Sequence, residues 1–561
     1  MRKLLATAII IYLFGAVFYS SLFLFSANQS YLVQIAKIFI AAVHILILIL
    51  PVYMIQSGFS LVRLLGHIVL FVAVLYALFL VGFVPYFGFV PELYSYGAKN
   101  AADLLEVSNH YFAQFFGWRE VSLIASYAGL IIIARKGKLP LAGLSVLLLP
   151  AALFGASVFQ FGVPVDSRSF GNLTVIRRFG PVAFSYVSLI GRLNADEGYL
   201  AEQTPFPGKL SELISDAPAT GKLHISRVPI ISHLVMVQIE SFDPEVLDAE
   251  LSGLAVMPFV SALKKNCLSY TNFLTTKAAG GSSDSEFSVT TGLVPSTRLP
   301  ALMYVDFEGI LTLYDRLAEV GVTSNFAHNN QSGFYGRHRA YLQLDTVTSK
   351  FESPADMMPE ADFALASLSD SMSRGENVLH YYFNFASHGP YQGYTKQTGA
   401  KFGIKAIGDL WTDYRATMHE VDSMVSGMFN SVSDEFESGK LMFVLTADHP
   451  SGINQSAGGI DTARIPSLIC HRDFQEQIID TVYSAPDFHP TILEAFGIEL
   501  ENVPTVGQSM FRDEVNAVLL PSRNLVFNTA NGGIELRQCG GSCDRHIAYT
   551  EQHLSTNLTV D

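Results

Sequence analysis

The chain has 561 residues, 50% of them hydrophobic, and a formal net charge of −14 at pH 7. The length allows more than one domain, and the hydrophobic share is high for a wholly soluble protein. The acidic balance argues against a nucleic-acid partner.

The N-terminal region holds the apolar excess. A helix needs about 20 apolar residues to cross a bilayer core. This region contains five successive apolar runs, and the fourth is long enough only if it begins near Phe115. We therefore predict a transmembrane domain of five helices over residues 1–165. The first run is not a good cleavable signal peptide, because it is long, lacks a small-residue cleavage site and is followed at once by another span. The five runs are Leu4–Ser26, Tyr31–Ile55, Leu61–Val90, Val121–Ala134 and Leu141–Phe159.

Basic residues in short loops predict the orientation of these spans, since such residues favour the cytoplasmic side. All of them fall on one side if the N-terminus is cytoplasmic, and five spans then place the rest of the chain outside. We predict a multi-pass protein of the cytoplasmic (inner) membrane whose large C-terminal portion is extracytoplasmic or periplasmic. The basic residues are Arg2, Lys3, Arg63, Arg135, Lys136 and Lys138.

A linker is predicted over residues 166–224, where the amphipathic segment "VAFSYVSLIGRL" suits a membrane surface. The four cysteines, Cys267, Cys470, Cys539 and Cys543, all follow it. Cys539 and Cys543 are close enough in sequence to form a disulfide in an oxidising compartment, or to remain two free thiols. Both alternatives stay open at this point.

Residues 225–520 alternate short apolar runs with amphipathic segments, which indicates an α/β domain. Several apolar runs end in a polar residue, as buried strands do when they deliver side chains to one edge of a sheet. Because ligands bind at the carboxyl ends of strands in open α/β sheets, these endings predict a site. The polar residues in question are Glu240, His328, His388, Asp448 and His449.

The segment "LWTDYRATMHEVDSMVSGMF" has apolar residues at helical spacing, so we predict a helix packed on the sheet, without chemistry. Residues 521–561 are predicted to form a C-terminal extension. The apolar positions of the helix are Trp411, Tyr414, Met418, Val421, Met424, Val425 and Met428.

The stretch "GGSSDSEF" indicates a nucleophile. Ser283 and Glu286 have the spacing of a capping box, which predicts Ser283 as the N-cap of a helix beginning at Asp284. Ser282 lies one residue outside that helix, after two glycines that leave the backbone free to approach a substrate. A hydroxyl ahead of a helix N-terminus lies where phosphate anions bind well. We therefore predict Ser282 as the nucleophile, although a shift of one residue would exchange it with Ser283.

A serine needs a base or a metal to become a good nucleophile. Glu240, Asp448 and His449 form an O/O/N set of side chains that suits zinc or manganese, with the oxygen of Ser282 completing the site. Asp448 and His449 can converge only beyond the end of their strand, because adjacent strand residues point to opposite faces. Pro450 is consistent with such an ending.

The motifs "VQIESFD", "GGSSDSEF", "HNNQSGFYGRHR" and "LTADHPSG", in this order behind five spans, carry a resemblance to a known family. The chain resembles the lipoteichoic acid synthase and phosphoglycerol transferase group of the sulfatase/alkaline phosphatase superfamily, which is related to phosphoethanolamine transferases. The resemblance implies a fold of that type, with a metal site at Glu240, Ser282, Asp448 and His449 and the nucleophile at Ser282. It also implies a substrate-binding set that comprises His328, Tyr335, Arg337 and His388.

This resemblance predicts a metal-dependent transferase with one Mn²⁺ or Zn²⁺ ion. It would move phosphoglycerol from phosphatidylglycerol to an envelope glycan, teichoic-type or lipid acceptor through a phosphoserine. The synthases have threonine at Ser282 and tryptophan at Tyr335, and "SHGPY" is closer to phosphoethanolamine transferases. A phosphoethanolamine transferase that uses phosphatidylethanolamine and acts on lipid A or a glycan is therefore the alternative.

Two further alternatives are less well supported by the sequence. A sulfatase or phosphodiesterase is one of them, but "VPSTR" does not place a Cys or Ser two residues before its proline, as the sulfatase maturation motif requires. An inactive membrane sensor is the other. Such a protein would be expected to lose metal ligands, whereas this chain has all four.

Overall fold

The computed structural model describes residues 54–87 and the single positions 121, 124, 125, 128 and 132. From residue 222 it describes 222–278, 280–296, 300–305, 307, 310–329, 337, 344, 346–348, 359–388, 391, 410–453, 459–501, 503–513, 517–521, 524–529, 533–538 and 541–552. The chain divides into two compact units, residues 1–201 with 560–561 and residues 202–559.

Most of the described residues of the first unit lie in helix α1, Ser60–Phe87, which overlaps the third predicted span. Leu61, Leu64 and Phe71 are among its exposed apolar side chains. A search of the described residues finds no helix long and apolar enough to cross a membrane. The rest of the predicted five-helix domain, and the linker predicted over 166–224, lie almost entirely outside the described residues.

Among its described residues, the second unit contains a large sheet and three smaller ones. Their strands are β1 Lys222–Leu223, β2 His233–Ile239, β3 Glu250–Leu251, β4 Leu254–Ala255, β5 Cys267–Leu274, β6 Thr323–His328, β7 Thr346–Thr348, β8 Val378–Phe383, β9 Leu441–Ala447, β10 Ser467–Cys470, β11 Gln477–Ser484, β12 Arg512–Asp513, β13 Ala517–Leu519, β14 Asn524–Asn528 and β15 Ile534–Gln538.

The large sheet has eight described strands in the order β11-β5-β10-β9-β2-β8-β6-β7. The five strands from β9 to β7 are parallel, whereas β10 runs antiparallel to both of its neighbours. Strands β8 and β9 are buried along their whole length. Continuous burial is typical of a sheet covered on both faces, so the predicted α/β domain is confirmed, with a mixed sheet.

Helices cover the sheet in two groups. One group packs α6 on β6 and β8 and against α7, which also contacts α2; the other packs α5 on β6 and against α3 and α9. The helices are α2 Pro258–Leu263, α3 Ser283–Thr291, α4 Ala301–Tyr304, α5 Leu313–Glu319, α6 Glu360–Met372, α7 Leu410–Ser431, α8 Ser433–Glu437, α9 Phe488–Ala495 and α10 Gly541–Gln552. Helix α7 contains the predicted apolar stripe.

A disulfide joins Cys267 of β5 to Cys470 of β10, which are directly opposite each other in the antiparallel pair. Both residues are fully buried. The sequence did not predict this bond. Cys543 is disulfide-bonded as well, and Cys539 lies outside the described residues.

The small sheet β13-β14-β15 packs on the large one through Val518 and Val526, which contact Leu274 of β5 and Val482 of β11. Strand β13 precedes residue 521 and pairs with β14, which follows it. Part of the predicted C-terminal extension is thus joined to the α/β domain by strand pairing.

Candidate active site

The strands that end in polar residues lie side by side. β9, β2, β8 and β6 are consecutive parallel neighbours, so their carboxyl ends share one edge of the sheet. Glu240 directly follows β2, and Asp448 directly follows β9. Since Ile239 is paired with Ala447, the two carboxylates leave the sheet next to each other.

Glu240, Asp448 and His449 form a buried cluster whose ligand atoms all lie within 4.8 Å of one another. Nε2 of His449 is 3.2 Å from Oδ2 of Asp448 and 3.5 Å from Oε1 of Glu240. Nδ1 of His449 is 2.9 Å from the carbonyl oxygen of Pro450. Because a carbonyl only accepts hydrogen bonds, Nδ1 carries the proton and Nε2 presents its lone pair to the cluster.

Ser282 reaches this cluster from the loop before α3. Its Oγ donates a hydrogen bond to Oε2 of Glu240 at 3.0 Å and is 3.3 Å from Nε2 of His449. The Ser282 side chain is buried at 9% exposure. The structure therefore brings together all four residues that the sequence assigned to the metal site.

The predicted capping box of Ser283 and Glu286 is wrong. Helix α3 begins at Ser283, its N-cap position is Ser282, and no side chain caps it. The hydroxyl of Ser283 instead donates to the carbonyl of Gly280 at 2.9 Å. Backbone turns already occupy the first helical N–H groups, because Ser283, Asp284 and Ser285 donate to carbonyl oxygens three residues earlier. No side-chain cap is needed there.

The loop before Ser282 is folded around Asp284, a fully buried carboxylate. It accepts backbone hydrogen bonds from Ala278 at 2.6 Å and Gly280 at 2.9 Å. A Cβ on Gly280 would collide with Oδ1 of Asp284, and Gly281 has φ +60°. The two glycines thus allow the loop to pack against the carboxylate of Asp284. This structural requirement is separate from the predicted approach of the backbone to a substrate.

His328 ends β6 and is buried against aromatic rings. Its Nδ1 is 2.9 Å from the carbonyl oxygen of Phe383, and its ring stacks on that phenylalanine at 4.8 Å. Burial lowers the pKa of His328 well below its usual range, and the charges of Arg337 and His388 lower it further. A charge on His388 also lowers the pKa of His449, so the half-buried His388 is within electrostatic reach of the cluster.

Arg337 is also buried, and its guanidinium is bound by protein. It forms a two-pronged ion pair with Glu286 of α3, with Nε donating to Oε2 at 2.9 Å and Nη2 donating to Oε1. The guanidinium carbon lies 5.5 Å from the centre of the Phe383 ring. Tyr335 lies outside the described residues. Substrate binding by these residues stays a prediction.

A sulfatase family model matches residues 232–498, the region that contains the four-residue cluster. This region is a domain of the sulfatase/alkaline phosphatase superfamily. The domain shows distant similarity to two Bacillus subtilis proteins, which the chain matches over about half of their length. Lipoteichoic acid synthase-like YvgJ is 22% identical over 295 residues, 48% of this chain and 48% of the relative. Lipoteichoic acid synthase 2 is 22% identical over 323 residues, 52% of this chain and 49% of the relative.

A solved structure with a similar fold is the integral membrane protein lipooligosaccharide phosphoethanolamine transferase A (EptA) from Neisseria meningitidis. It superposes with a TM-score of 0.51 at 12% sequence identity and covers 92% of this chain and 97% of its own. At this identity the match concerns the fold alone.

The electrostatics of the sulfatase-superfamily domain suit a cation at the cluster. Burial raises the pKa of Glu240 well above its usual range, and the nearby Asp448 raises it further. Burial lowers the pKa of His449 to about 4, so its imidazole is neutral at pH 7. Burial also tends to raise the pKa of Asp448. His449 and the N–H of Ser241 together lower this pKa by more, so it lies below its usual value and the carboxylate stays ionised.

Two adjacent buried carboxyl groups, a neutral imidazole and a hydroxyl can bind a divalent metal ion, which would compensate the like charges. The donor set therefore fits the metal dependence that is typical of the superfamily.

Three buried residues around the site were missed from sequence. Glu360, the first residue of α6, accepts hydrogen bonds from Asn329 at 2.7 Å, from Tyr382 at 2.6 Å and from the backbone N–H of Phe385 at 2.9 Å. It joins the loops that follow β6 and β8, and no local sequence pattern marks it.

The other two missed residues are Ser241 and Tyr414. Ser241 directly follows Glu240 and bonds to both carboxylates of the cluster. Tyr414 lies in the α7 stripe, which we interpreted as packing alone, but its hydroxyl donates to the carbonyl of Ser241 at 2.8 Å. The adjacency of Ser241 to Glu240 was the available signal.

Proposed function

We propose that this protein is a metal-dependent phosphotransferase of the cytoplasmic membrane. It transfers phosphoglycerol from phosphatidylglycerol to an acceptor hydroxyl on a glycan, a teichoic-type chain or a lipid outside the cytoplasm. Ser282 is the nucleophile, and Glu240, Asp448 and His449 hold one Mn²⁺ or Zn²⁺ ion together with it. The distant similarity to lipoteichoic acid synthases supports the choice of donor.

The observation that carries this proposal is the position of Ser282. Its hydroxyl is within hydrogen-bonding distance of Glu240 and close to the Nε2 lone pair of His449, at the carboxyl edge of a parallel sheet. When bound, the metal supplies Lewis acidity that lowers the pKa of a coordinated hydroxyl and polarises a phosphoryl group. A protein that had lost its chemistry would not be expected to keep all four groups in contact.

The reaction has two steps on these residues. Ser282 Oγ forms a bond to phosphorus while the bond from phosphorus to the diacylglycerol oxygen breaks, and the serine proton leaves along the hydrogen bond to Glu240. The leaving diacylglycerol oxygen takes up a proton, which we assign to His388 because the charge of this histidine acts on His449. The acceptor hydroxyl oxygen then forms a bond to phosphorus of the glycerophosphoserine while the bond from phosphorus to Ser282 Oγ breaks. The acceptor proton passes to His388, which gave up its own in the first step, and Glu240 returns the proton to Ser282 as the phosphodiester product departs.

The disulfide between Cys267 and Cys470 supports the extracytoplasmic placement of the domain. Structural disulfides form and persist in oxidising compartments and are rare in the cytoplasm. A reporter fused after Asp561 should therefore be active outside the cytoplasm, and one fused at Gly137 inside it. Cytoplasmic activity of the Asp561 fusion would contradict both the predicted span count and the use of an outer-leaflet lipid donor.

The alternative donor is phosphatidylethanolamine, which the sequence "SHGPY" at residues 387–391 favours. The test incubates the purified full-length protein with phosphatidylglycerol and phosphatidylethanolamine that carry different isotopic labels in their head groups. Mass spectrometry then follows diacylglycerol, the released head groups and a phosphorylated Ser282 peptide. Water serves as the default acceptor.

We expect diacylglycerol and labelled glycerol phosphate from phosphatidylglycerol, and a labelled peptide at Ser282. Ser282→Ala should abolish all three products, and Ser283→Ala is the matched control that keeps them. Consumption of phosphatidylethanolamine alone would select the alternative donor. Consumption of neither lipid, in metal-loaded protein, would refute the proposed function.

A further inference from the structure

Ser241 adopts a backbone conformation that serine rarely takes. Its φ is +57°, in the left-handed region, and it is one of three described non-glycine residues with positive φ. The residue is buried at 5% exposure and immediately follows Glu240. Such conformations persist only where the surroundings impose them, and they cluster at functional sites. The contacts of Ser241 indicate which hydrogen bonds this backbone conformation makes possible.

Two donors of Ser241 each hold one carboxylate of the cluster. Its backbone N–H donates to Oδ1 of Asp448 at 2.8 Å, and its hydroxyl donates to Oε1 of Glu240 at 2.8 Å. In an extended strand the side chain after Glu240 would point to the opposite face of the sheet. The left-handed turn brings the hydroxyl back to Glu240, so one residue bonds to both acids.

The third polar atom of Ser241 fixes the turn itself. Its carbonyl accepts a hydrogen bond from the hydroxyl of Tyr414 at 2.8 Å, and the same hydroxyl accepts one from the N–H of Asp243 at 2.8 Å. Tyr414 is fully buried, so this clamp is held by the packing of helix α7. The turn is thus tied to the domain core on one side and to the cluster on the other.

We propose that Ser241 is a positioning residue that orients Glu240 and Asp448 for metal binding. It occupies one oxygen of each carboxylate and leaves Glu240 Oε2 facing Ser282 and Asp448 Oδ2 facing His449. Without its hydroxyl, Glu240 would lose the hydrogen bond that fixes Oε1, whereas Asp448 Oδ1 would keep a second backbone hydrogen bond from His449 at 2.7 Å. This inference rests on the metal site of the proposed function. Groups that orient metal ligands typically change metal affinity by about 10- to 100-fold when they are removed.

The test measures Mn²⁺ binding by titration calorimetry to the purified, metal-stripped full-length protein, alongside its melting temperature. Ser241→Ala should lower the Mn²⁺ affinity by about 10- to 100-fold. Ser241→Gly should lower it similarly while keeping or raising the melting temperature, because glycine takes positive φ without strain. If Ser241 served only to adopt the left-handed conformation, Ser241→Gly would instead bind Mn²⁺ with wild-type affinity.

The chain offers a matched control in Ser252, which also has positive φ, +53°, but is exposed in the turn between β3 and β4. Ser252→Gly should change only the melting temperature. Tyr414→Phe, which removes the clamp but keeps the ring, should weaken Mn²⁺ binding less than Ser241→Ala.

The outcomes separate this inference from the proposed function. Wild-type Mn²⁺ affinity in both Ser241 variants would overturn the positioning role alone. Failure of the wild-type protein to bind Mn²⁺ or Zn²⁺ would overturn the metal site and the positioning role with it. Weakened Mn²⁺ binding in the variants, in a protein that transfers no lipid head group, would support the positioning role and refute the proposed transferase.

Discussion

Two sets of predicted site residues behave differently in the structure. Glu240, Ser282, Asp448 and His449, the cluster set, point at one another across distances of 3.0 to 3.5 Å. The substrate set comprises His328, Tyr335, Arg337 and His388. Two of its described members, His328 and Arg337, are buried and bound to protein groups. Glu240, Asp448 and His449 are placed by strand order, since they follow the ends of the neighbouring strands β2 and β9, and Ser282 reaches them from the loop before α3. Strand order places His328 at the end of β6, but it does not specify the pairing of Arg337 with Glu286.

The sharpest test of the cluster set replaces each of the two adjacent serines, Ser282 and Ser283, with alanine in turn. Ser282→Ala should lower turnover at least about 10⁴-fold, because the attacking oxygen is lost. Ser283→Ala removes one hydrogen bond to Gly280 and should cost about 1 kcal/mol of stability with turnover retained. The measurement is diacylglycerol release together with thermal unfolding. An active Ser282→Ala protein beside an inactive, stable Ser283→Ala protein would exchange the two roles.

Substitution of Arg337 tests whether this member of the substrate set stabilises the fold. Arg337→Met leaves Glu286 buried without its partner and should destabilise the domain by about 3–5 kcal/mol. The double variant Arg337→Met/Glu286→Leu should recover most of that loss, because no uncompensated charge remains. Denaturant unfolding of the three proteins measures the effect. If Arg337→Met were as stable as wild type and defective only in donor-lipid use, the head-group role would be favoured over the ion pair.

A metal-ligand variant distinguishes the two sets directly. His449→Ala should lower Mn²⁺ affinity by at least about 100-fold, because a site with three side chains and one hydroxyl has little redundancy. His388→Ala, outside the proposed ligands, should retain that affinity. Metal content of the purified proteins and recovery of activity after chelation and re-addition are the measurements. Stoichiometric metal and full activity in His449→Ala would show that the assigned site is wrong.

The smallest effect is expected from the titration of His328. Burial depresses its folded-state pKa, so its contribution to stability is present above the unfolded pKa of about 6.5 and is lost as pH falls below it. His328→Asn should therefore lose about 2 kcal/mol less stability than wild type between pH 7 and pH 5. Unfolding curves at pH 8, 7, 6 and 5 provide the comparison, with pH 8 as the packing baseline. Parallel pH profiles of the two proteins would exclude a buried neutral imidazole.

The strand endings could be predicted from sequence because each apolar run stops at a polar residue. Glu240 and Asp448 then follow from parallel pairing alone. The capping box was wrong because local spacing does not reveal that turn hydrogen bonds already satisfy the helix N-terminus. Glu286 and Arg337 are 51 residues apart, and their pairing depends on tertiary packing that periodicity does not encode. The reversed direction of β10 was likewise beyond what a short apolar run specifies.

The bond between Cys267 and Cys470 closes a ring of chain across a sequence separation of 203 residues. Ser282, Asp448 and His449 lie inside this ring, and Glu240 lies outside it. A single protease cut at any peptide bond within the ring therefore opens the chain without releasing a fragment. The nicked protein would run as one species on a non-reducing gel and as two after reduction, so digestion near Ser282, Asp448 or His449 would go undetected unless thiol is added.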